Sequence, residues 1–95
     1  MHALFVEVNV DESMNEQARE RLQREAVPSA REAGANAGYW LAAQAGRGVA
    51  VVLFDSEDAA KRAAETLTVG EAPSAEAPPG VTFRTVEVRE VLAGL

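Results

Sequence analysis

The chain has 95 residues, of which 47% are hydrophobic and 25% charged, and its 9 Lys+Arg against 15 Asp+Glu give a formal net charge of −6. This length predicts a single domain over residues 1–95. The acidic balance argues against binding to nucleic acid or to an anionic membrane surface. Because cysteine is absent and His2 is the only histidine, disulfides, thiol catalysis and thiolate zinc sites are excluded, and we expect no metal site.

No membrane segment is predicted. The longest apolar run, residues 49–54, is far shorter than the ~20 residues that a spanning helix needs. The first residues lack a basic segment, and Glu7 interrupts their apolar stretch too early for a signal peptide. We therefore expect a cytoplasmic protein.

A β-strand followed by a helix is predicted at the start of the chain. Residues 3–10 (ALFVEVNV) alternate in polarity and are rich in β-branched side chains. Ser13 and Glu16 have the spacing of a capping box, so a helix should begin there and should kink or stop near Val27, because of Pro28. The apolar stripe of this helix recurs every four residues, at Met14, Ala18, Leu22 and Ala26.

A hairpin is predicted in the middle of the chain. After a short turn closed by Gly34, residues 38–44 and 47–54 both have strand character, and the AGRG sequence between them contains the glycines of a tight turn. The second strand is apolar on both faces, which predicts a central position in the sheet. We therefore expect Val51 and Leu53 to be nearly inaccessible.

The rest of the chain predicts a helix, a loop and a strand. Asp55 or Ser56 should cap a helix with an alanine-rich stripe. Residues 68–80 contain three prolines, two glycines and no apolar periodicity, which predicts a flexible loop. The apolar phase of the last strand, residues 81–89, slips near Arg84, which indicates a β-bulge.

The order β-α-β-β-α-β predicts an α+β, ferredoxin-like fold: an antiparallel four-stranded sheet in the order 4-1-3-2, with both helices on one face. The other face would carry one of two sets of first-strand side chains, either Phe5, Glu7 and Asn9 or Leu4, Val6 and Val8. Either set, together with the residues of the third strand on the same side, makes that face too apolar to remain in water. A second copy of the chain is the simplest cover, so a homodimer is predicted.

Three stretches carry a resemblance to a known family: MHALFVEVNV, AGYWLAAQAGRGVAVVLFDSEDAAKRAA and VTFRTVEVREVLA. Over nearly its whole length the chain resembles small actinobacterial proteins of the dimeric α+β barrel superfamily, nearest to the antibiotic-biosynthesis-monooxygenase-like branch. The resemblance implies a homodimer whose two sheets pack face to face as a barrel. It also implies a cleft between the sheet and the helices of each subunit.

Candidate site residues follow from this resemblance. The cofactor-independent monooxygenases of the superfamily bind a polycyclic phenol through polar and aromatic side chains, and Asn9, Tyr39, Trp40 and Arg84 could supply such groups. Glu7 on the first strand could act as a general base if it is buried. The haem-degrading branch carries a histidine ligand on the second helix, where this chain has none, so we expect no haem and no other cofactor.

Each candidate residue also has a structural interpretation. Tyr39 and Trp40 could be core or interface aromatics, Asn9 could simply end its strand, and Arg84 could face solvent on an edge. Glu7 could pair with an arginine across the dimer or lie at a wet end of the sheet. Three hypotheses therefore stay open. The protein could be a monooxygenase-like enzyme acting on a small aromatic or polyketide-like molecule, a non-catalytic dimer that binds a small apolar ligand, or a purely structural homodimer. An RNA-binding module of the same fold is disfavoured by the acidic charge.

Overall fold

The computed structural model describes all 95 residues and contains one antiparallel sheet of four strands. The strands are β1 (His2–Asn9), β2 (Ala37–Gln44), β3 (Arg47–Phe54) and β4 (Thr82–Glu90). Their order in the sheet is β2-β3-β1-β4, which confirms the predicted order and the central positions of β1 and β3. With its helices the chain is an α+β protein compatible with a ferredoxin-like fold.

The first helical segment, residues 12–32, consists of four consecutive turns or helices. These are a 3-10 turn (Glu12–Met14), α1 (Asn15–Arg21), a π-helical stretch (Leu22–Ala26) and α2 (Val27–Glu32). The cap is Asp11, whose carboxylate accepts a hydrogen bond of 3.0 Å from the backbone N–H of Ser13. The prediction that Ser13 itself is the cap is therefore wrong by two residues.

The segment continues through Pro28, where the sequence predicted either a kink or a stop near Val27. The backbone N–H of Val27 donates to the carbonyl of Leu22, five residues earlier. This wider turn directly precedes Pro28 and places it in the first turn of α2, where a proline ring and its missing N–H are tolerated. The segment ends as predicted at Gly34, which has a φ of 94° and forms a Schellman motif.

The last helix, α3 (Glu57–Glu65), begins at Ser56, whose hydroxyl accepts a hydrogen bond of 3.2 Å from the N–H of Ala59. Ala60 is fully buried, so the helix axis lies close to the sheet. The core between this helix and the sheet consists of Leu4, Val6, Ala50, Val52, Phe54, Ala60 and Phe83. No helix of the chain is both long enough and apolar enough to cross a membrane.

Two predicted features of the sheet, a tight hairpin turn and a β-bulge, are confirmed. Ala45 and Gly46 form the two-residue hairpin turn between β2 and β3 with φ values of 55° and 76°, as a type I′ turn requires. The pairing of β1 with β4 shifts register between Glu7 and Val8. Arg84 is the extra residue on β4 at this bulge.

The sheet face opposite the helices is called the open face. It carries Phe5, Glu7 and Asn9 of β1, which decides between the two alternatives left by the sequence, and it also carries Tyr39, Leu41, Val49, Val51 and Leu53. Val51 and Leu53 are only half-buried in the single chain, so the expectation that they are inaccessible is not met there. The core side chains of β3 are the alternate set, Ala50, Val52 and Phe54.

The loop of residues 68–80 is attached to the sheet at its beginning. The N–H of Gly70 donates to the carbonyl of Phe83 at 2.8 Å, and the N–H of Phe83 donates to the carbonyl of Glu71 at 2.9 Å. Further along, Glu76 forms an ion pair of 3.1 Å with Arg24. The flexibility of the loop stays a prediction.

Candidate functional site

A groove lies between the first helical segment and β2, at the edge of the sheet. Its volume is about 480 Å³, and nine of its fifteen lining residues are hydrophobic. The apolar walls include Ala18, Leu22, Val27 and Ala30 from the helical segment and Trp40 and Ala42 from β2. Its size and apolar lining are those of small-molecule sites, which typically enclose about 300–1,000 Å³.

Trp40 is the largest side chain of the groove. It is half-buried, packs against the core and points to the helix side of the sheet, because its register partner Ala50 is a core residue. Gly38 lies two residues earlier on the same face and also lines the groove. The indole therefore supplies a flat apolar surface together with one N–H donor.

Hydrogen bonds attach the start of the helical segment to β2. The side-chain amide of Asn15 pairs with the backbone of Ala43: its oxygen accepts from the N–H at 2.8 Å, and its nitrogen donates to the carbonyl at 3.4 Å. The Glu12 carboxylate accepts from the N–H of Ala45 at 2.9 Å. These bonds fix one end of the groove on an edge strand whose outer backbone groups would otherwise face water.

The other end of the groove is fixed by the chain that follows the helix. Ala30 and Ala35 pack against the core, and the N–H of Asn36 donates to the carbonyl of Leu53 at 2.8 Å. The Asn36 side chain also donates to Asp55. Between these two ends no hydrogen bond joins the helical segment to β2. The two walls of the groove are therefore connected by hydrogen bonds only at its ends.

The charged residues of the groove are both cations. Arg19 and Arg31 line it, whereas no Asp or Glu does, although the chain has more acids than bases. Arg19 lies 3.6 Å from Glu16 in an exposed pair. Arg31 makes no ion pair and no side-chain hydrogen bond. The lining of the groove therefore carries one unpaired cation, Arg31, and no acidic residue.

Two carboxyl groups outside the groove have shifted pKa values. Hydrogen bonds from the side chain and backbone of Ser13 lower the pKa of Asp11. The pKa of Glu57 is lowered mainly by Lys61, whose ammonium lies 3.1 Å away, and to a smaller extent by His2 at 3.3 Å. The chain brings together no cluster of three or more His, Asp or Glu side chains that could hold a metal ion.

Of the site residues predicted from the sequence, only Trp40 lines the groove. Tyr39 pairs with Val51 on the open face and is 64% exposed. Arg84 is exposed at the bulge of β4. The two neighbouring aromatics therefore point to opposite sides of the sheet.

Glu7 and Asn9 also lie on the open face. The Glu7 carboxylate accepts a hydrogen bond of 2.7 Å from the Thr85 hydroxyl and lies 3.0 Å from the Arg47 guanidinium, with 14% of its side chain exposed. The ion-pair partner of Glu7 is thus an arginine of the neighbouring strand β3 in the same protomer. The side-chain amide of Asn9 donates to the Thr82 hydroxyl at 3.2 Å. The thickness of the sheet separates both residues from Trp40.

Sequence reasoning missed the second half of the helical wall. Val27, Ala30 and Arg31 line the groove, but the helix was predicted to kink or stop near Val27, with only a short turn beyond it. A signal was present, since the four-residue spacing of Ala18, Leu22 and Ala26 continues to Ala30 across Pro28. In the prediction Pro28 counted for more than this periodicity, because the π-helical turn that accommodates the proline has no distinctive sequence pattern.

The fold and the groove together define a class: an α+β protein with helices on one face of a four-stranded antiparallel sheet and a small-molecule-sized groove between them. Comparison of the chain with family models, with curated proteins and with solved structures finds no match.

Proposed function

We propose that this chain is a small-molecule-binding homodimer of the dimeric α+β barrel type, in which each protomer holds one small apolar or aromatic molecule in the groove beside Trp40. The groove itself carries this proposal. It has the volume of a ligand site, an aromatic wall and ends fixed by hydrogen bonds. A site held open in this way requires little rearrangement to accept a ligand.

The open face supports the homodimer. Phe5, Val51 and Leu53 are only half-buried there, and Tyr39 and Leu41 are 64% and 57% exposed. A contiguous apolar surface of this kind is typical of protein interfaces. Charges on the same face are already paired within the protomer, as in the ion pair of Glu7 with Arg47, so a second copy could cover the face without leaving an unpaired buried charge.

Binding is favoured over catalysis because the predicted catalytic candidates lie outside the groove. Glu7 and Asn9 point to the open face, away from a ligand that contacts Trp40. Oxidation of a bound phenol by dissolved oxygen, without a cofactor, is the second candidate function. The observation that favours it is the unpaired guanidinium of Arg31 in the groove, which could stabilise a phenolate.

The test combines ligand titration with measurement of the oligomeric state. Trp40 is the only tryptophan, so its emission reports directly on the groove. Naphthols and hydroxyanthraquinones should change this emission in the parent protein and in Asn9→Ala, whose substitution lies on the open face, but not in the groove-filling variant Ala18→Phe. Sedimentation should show a dimer at micromolar concentration.

Three outcomes separate the hypotheses. A dimer that binds none of these compounds would favour the purely structural homodimer. Oxygen consumption on mixing with a bound phenol would identify the monooxygenase-like enzyme. A monomer near 10.1 kDa would contradict the assembly while leaving the groove to be judged by the titration.

A further inference from the structure

The charges of the groove restrict the kind of ligand it suits. The chain has 15 acidic and 9 basic residues, so a surface groove of average composition would contain more carboxylates than guanidiniums. This groove has Arg19 and Arg31 in its lining and no carboxylate. An anionic group would therefore meet no like charge in the walls and could pair with a cation at one end of the groove.

Arg31 is the cation of the groove that has no ion pair in the protomer. Of the other arginines of the first helical segment, Arg19 pairs with Glu16 and Arg24 pairs with Glu20 and Glu76, and the unpaired Arg21 does not line the groove. A basic residue near the end of a helix can cap the last carbonyls. Here the carbonyls of Ala30 and Arg31 already accept from the backbone N–H groups of Ala35 and Gly34. The Arg31 side chain is not required for capping.

Arg19 and Arg31 cannot share one anionic group. They lie 12 positions apart on the same helical segment, which corresponds to roughly 18 Å at the usual rise of an α-helix. One anionic head can therefore be held at the Arg31 end, while the apolar walls at Leu22 and Trp40 lie alongside the rest of the molecule.

We propose that the ligand of this groove is an amphipathic monoanion: a small carboxylic acid whose carboxylate pairs with Arg31 and whose aromatic or aliphatic body packs against Trp40. The planar guanidinium forms two parallel hydrogen bonds with a carboxylate, which gives both strength and orientation. This inference rests on the proposed function of the same groove and adds the chemical class of the ligand.

The experiment compares two pairs of compounds that share a hydrocarbon body and differ in their head group, charged in one and neutral in the other: decanoate with decanol, and 2-naphthoate with 2-naphthamide. Each is titrated by calorimetry, and the decyl compounds are also followed by Trp40 emission. In the parent protein the carboxylates should bind about tenfold tighter or more than their neutral partners, the difference expected for one charge-assisted contact. Added salt should reduce this preference.

Three variants, each with a substitution at an exposed arginine, complete the experiment. Arg31→Gln should bind the carboxylate and the neutral compound equally, while Arg31→Lys keeps part of the preference because it keeps the charge. Arg62→Gln, at an exposed arginine of α3 that does not line the groove, is the matched control and should behave as the parent. Both arginines are solvent-exposed, so circular dichroism should show that all variants fold.

The outcomes distinguish this inference from the function on which it rests. If the neutral compounds bind the parent as tightly as the carboxylates, or if Arg31→Gln keeps the full preference, the ligand class is wrong and the groove remains a ligand site. If none of the four compounds binds, both the ligand class and the proposed function are overturned.

Discussion

The indole of Trp40 lies over the backbone of Gly38, two residues earlier on β2. A Cβ atom at position 38 would lie 3.0 Å from Cη2 and 3.1 Å from Cζ3 of the indole, closer than carbon atoms pack without displacement. The absence of a side chain at Gly38 thus permits the position that Trp40 takes in the groove wall. The pair links a backbone feature of an edge strand to the shape of the candidate site.

Gly38→Ala should therefore displace the indole. The added methyl group overpacks the site, and we expect a loss of about 1–3 kcal/mol in the free energy of unfolding, together with a changed emission spectrum of Trp40. Urea denaturation and fluorescence measure the two effects. Gly94→Ala is the control, because no atom lies within 4 Å of a Cβ at that position. An unchanged spectrum for Gly38→Ala would contradict this account of the groove wall.

Phe54 and Leu53, adjacent on β3, should respond differently to truncation. Phe54 is completely buried in the protomer, so Phe54→Ala should cost about 3–5 kcal/mol at any protein concentration. Leu53 faces the proposed dimer interface, so Leu53→Ala should destabilise more at concentrations where the dimer forms than at high dilution. Thermal unfolding over a range of concentrations measures this. A Leu53→Ala effect independent of concentration would count against the interface.

Asn15 should matter chiefly as a hydrogen-bond acceptor. Its side-chain oxygen is 2.8 Å from the N–H of Ala43, whereas its nitrogen is 3.4 Å from the carbonyl. Asn15→Ala should reduce the free energy of unfolding by about 1–2 kcal/mol, because the half-buried N–H of Ala43 loses its partner. Asn15→Asp keeps the acceptor and should recover most of the loss in chemical denaturation. Equal losses in the two variants would show that the amide nitrogen is the important atom.

Asp11 should contribute a pH-dependent part of the stability. Hydrogen bonds from Ser13 lower its pKa in the folded protein. Because the folded pKa lies below the unfolded one, this contribution is complete above the unfolded pKa of about 4 and is lost as the pH falls through the folded pKa. The parent should lose more stability between pH 7 and pH 3 than Asp11→Asn, which can cap the helix but does not titrate there. Identical losses in urea denaturation would contradict the prediction.

Local sequence patterns were sufficient for most of the fold. The alternation of residues 3–10, the AGRG turn and the phase slip near Arg84 each depend on backbone preferences of neighbouring residues, and each predicted the correct feature. The two-sided apolar character of residues 47–54 placed that strand in the centre of the sheet. The sequence left open whether the helix kinks or stops at Pro28, because the widened turn before this proline depends on packing as well as on local preference.

The sequence by itself determined the strand order, the helix-and-sheet layering and the presence of an apolar surface in need of cover, because periodicity and turn chemistry are short-range properties. Only the tertiary structure decided which face of β1 meets the helices, and with it the separation of Glu7 and Asn9 from Trp40. The sequence left both sets of β1 open because β3 is apolar on both faces, with Val49, Val51 and Leu53 on one and Ala50, Val52 and Phe54 on the other. The choice between them follows from long-range packing of Leu4 and Val6 against α3, which no local pattern encodes.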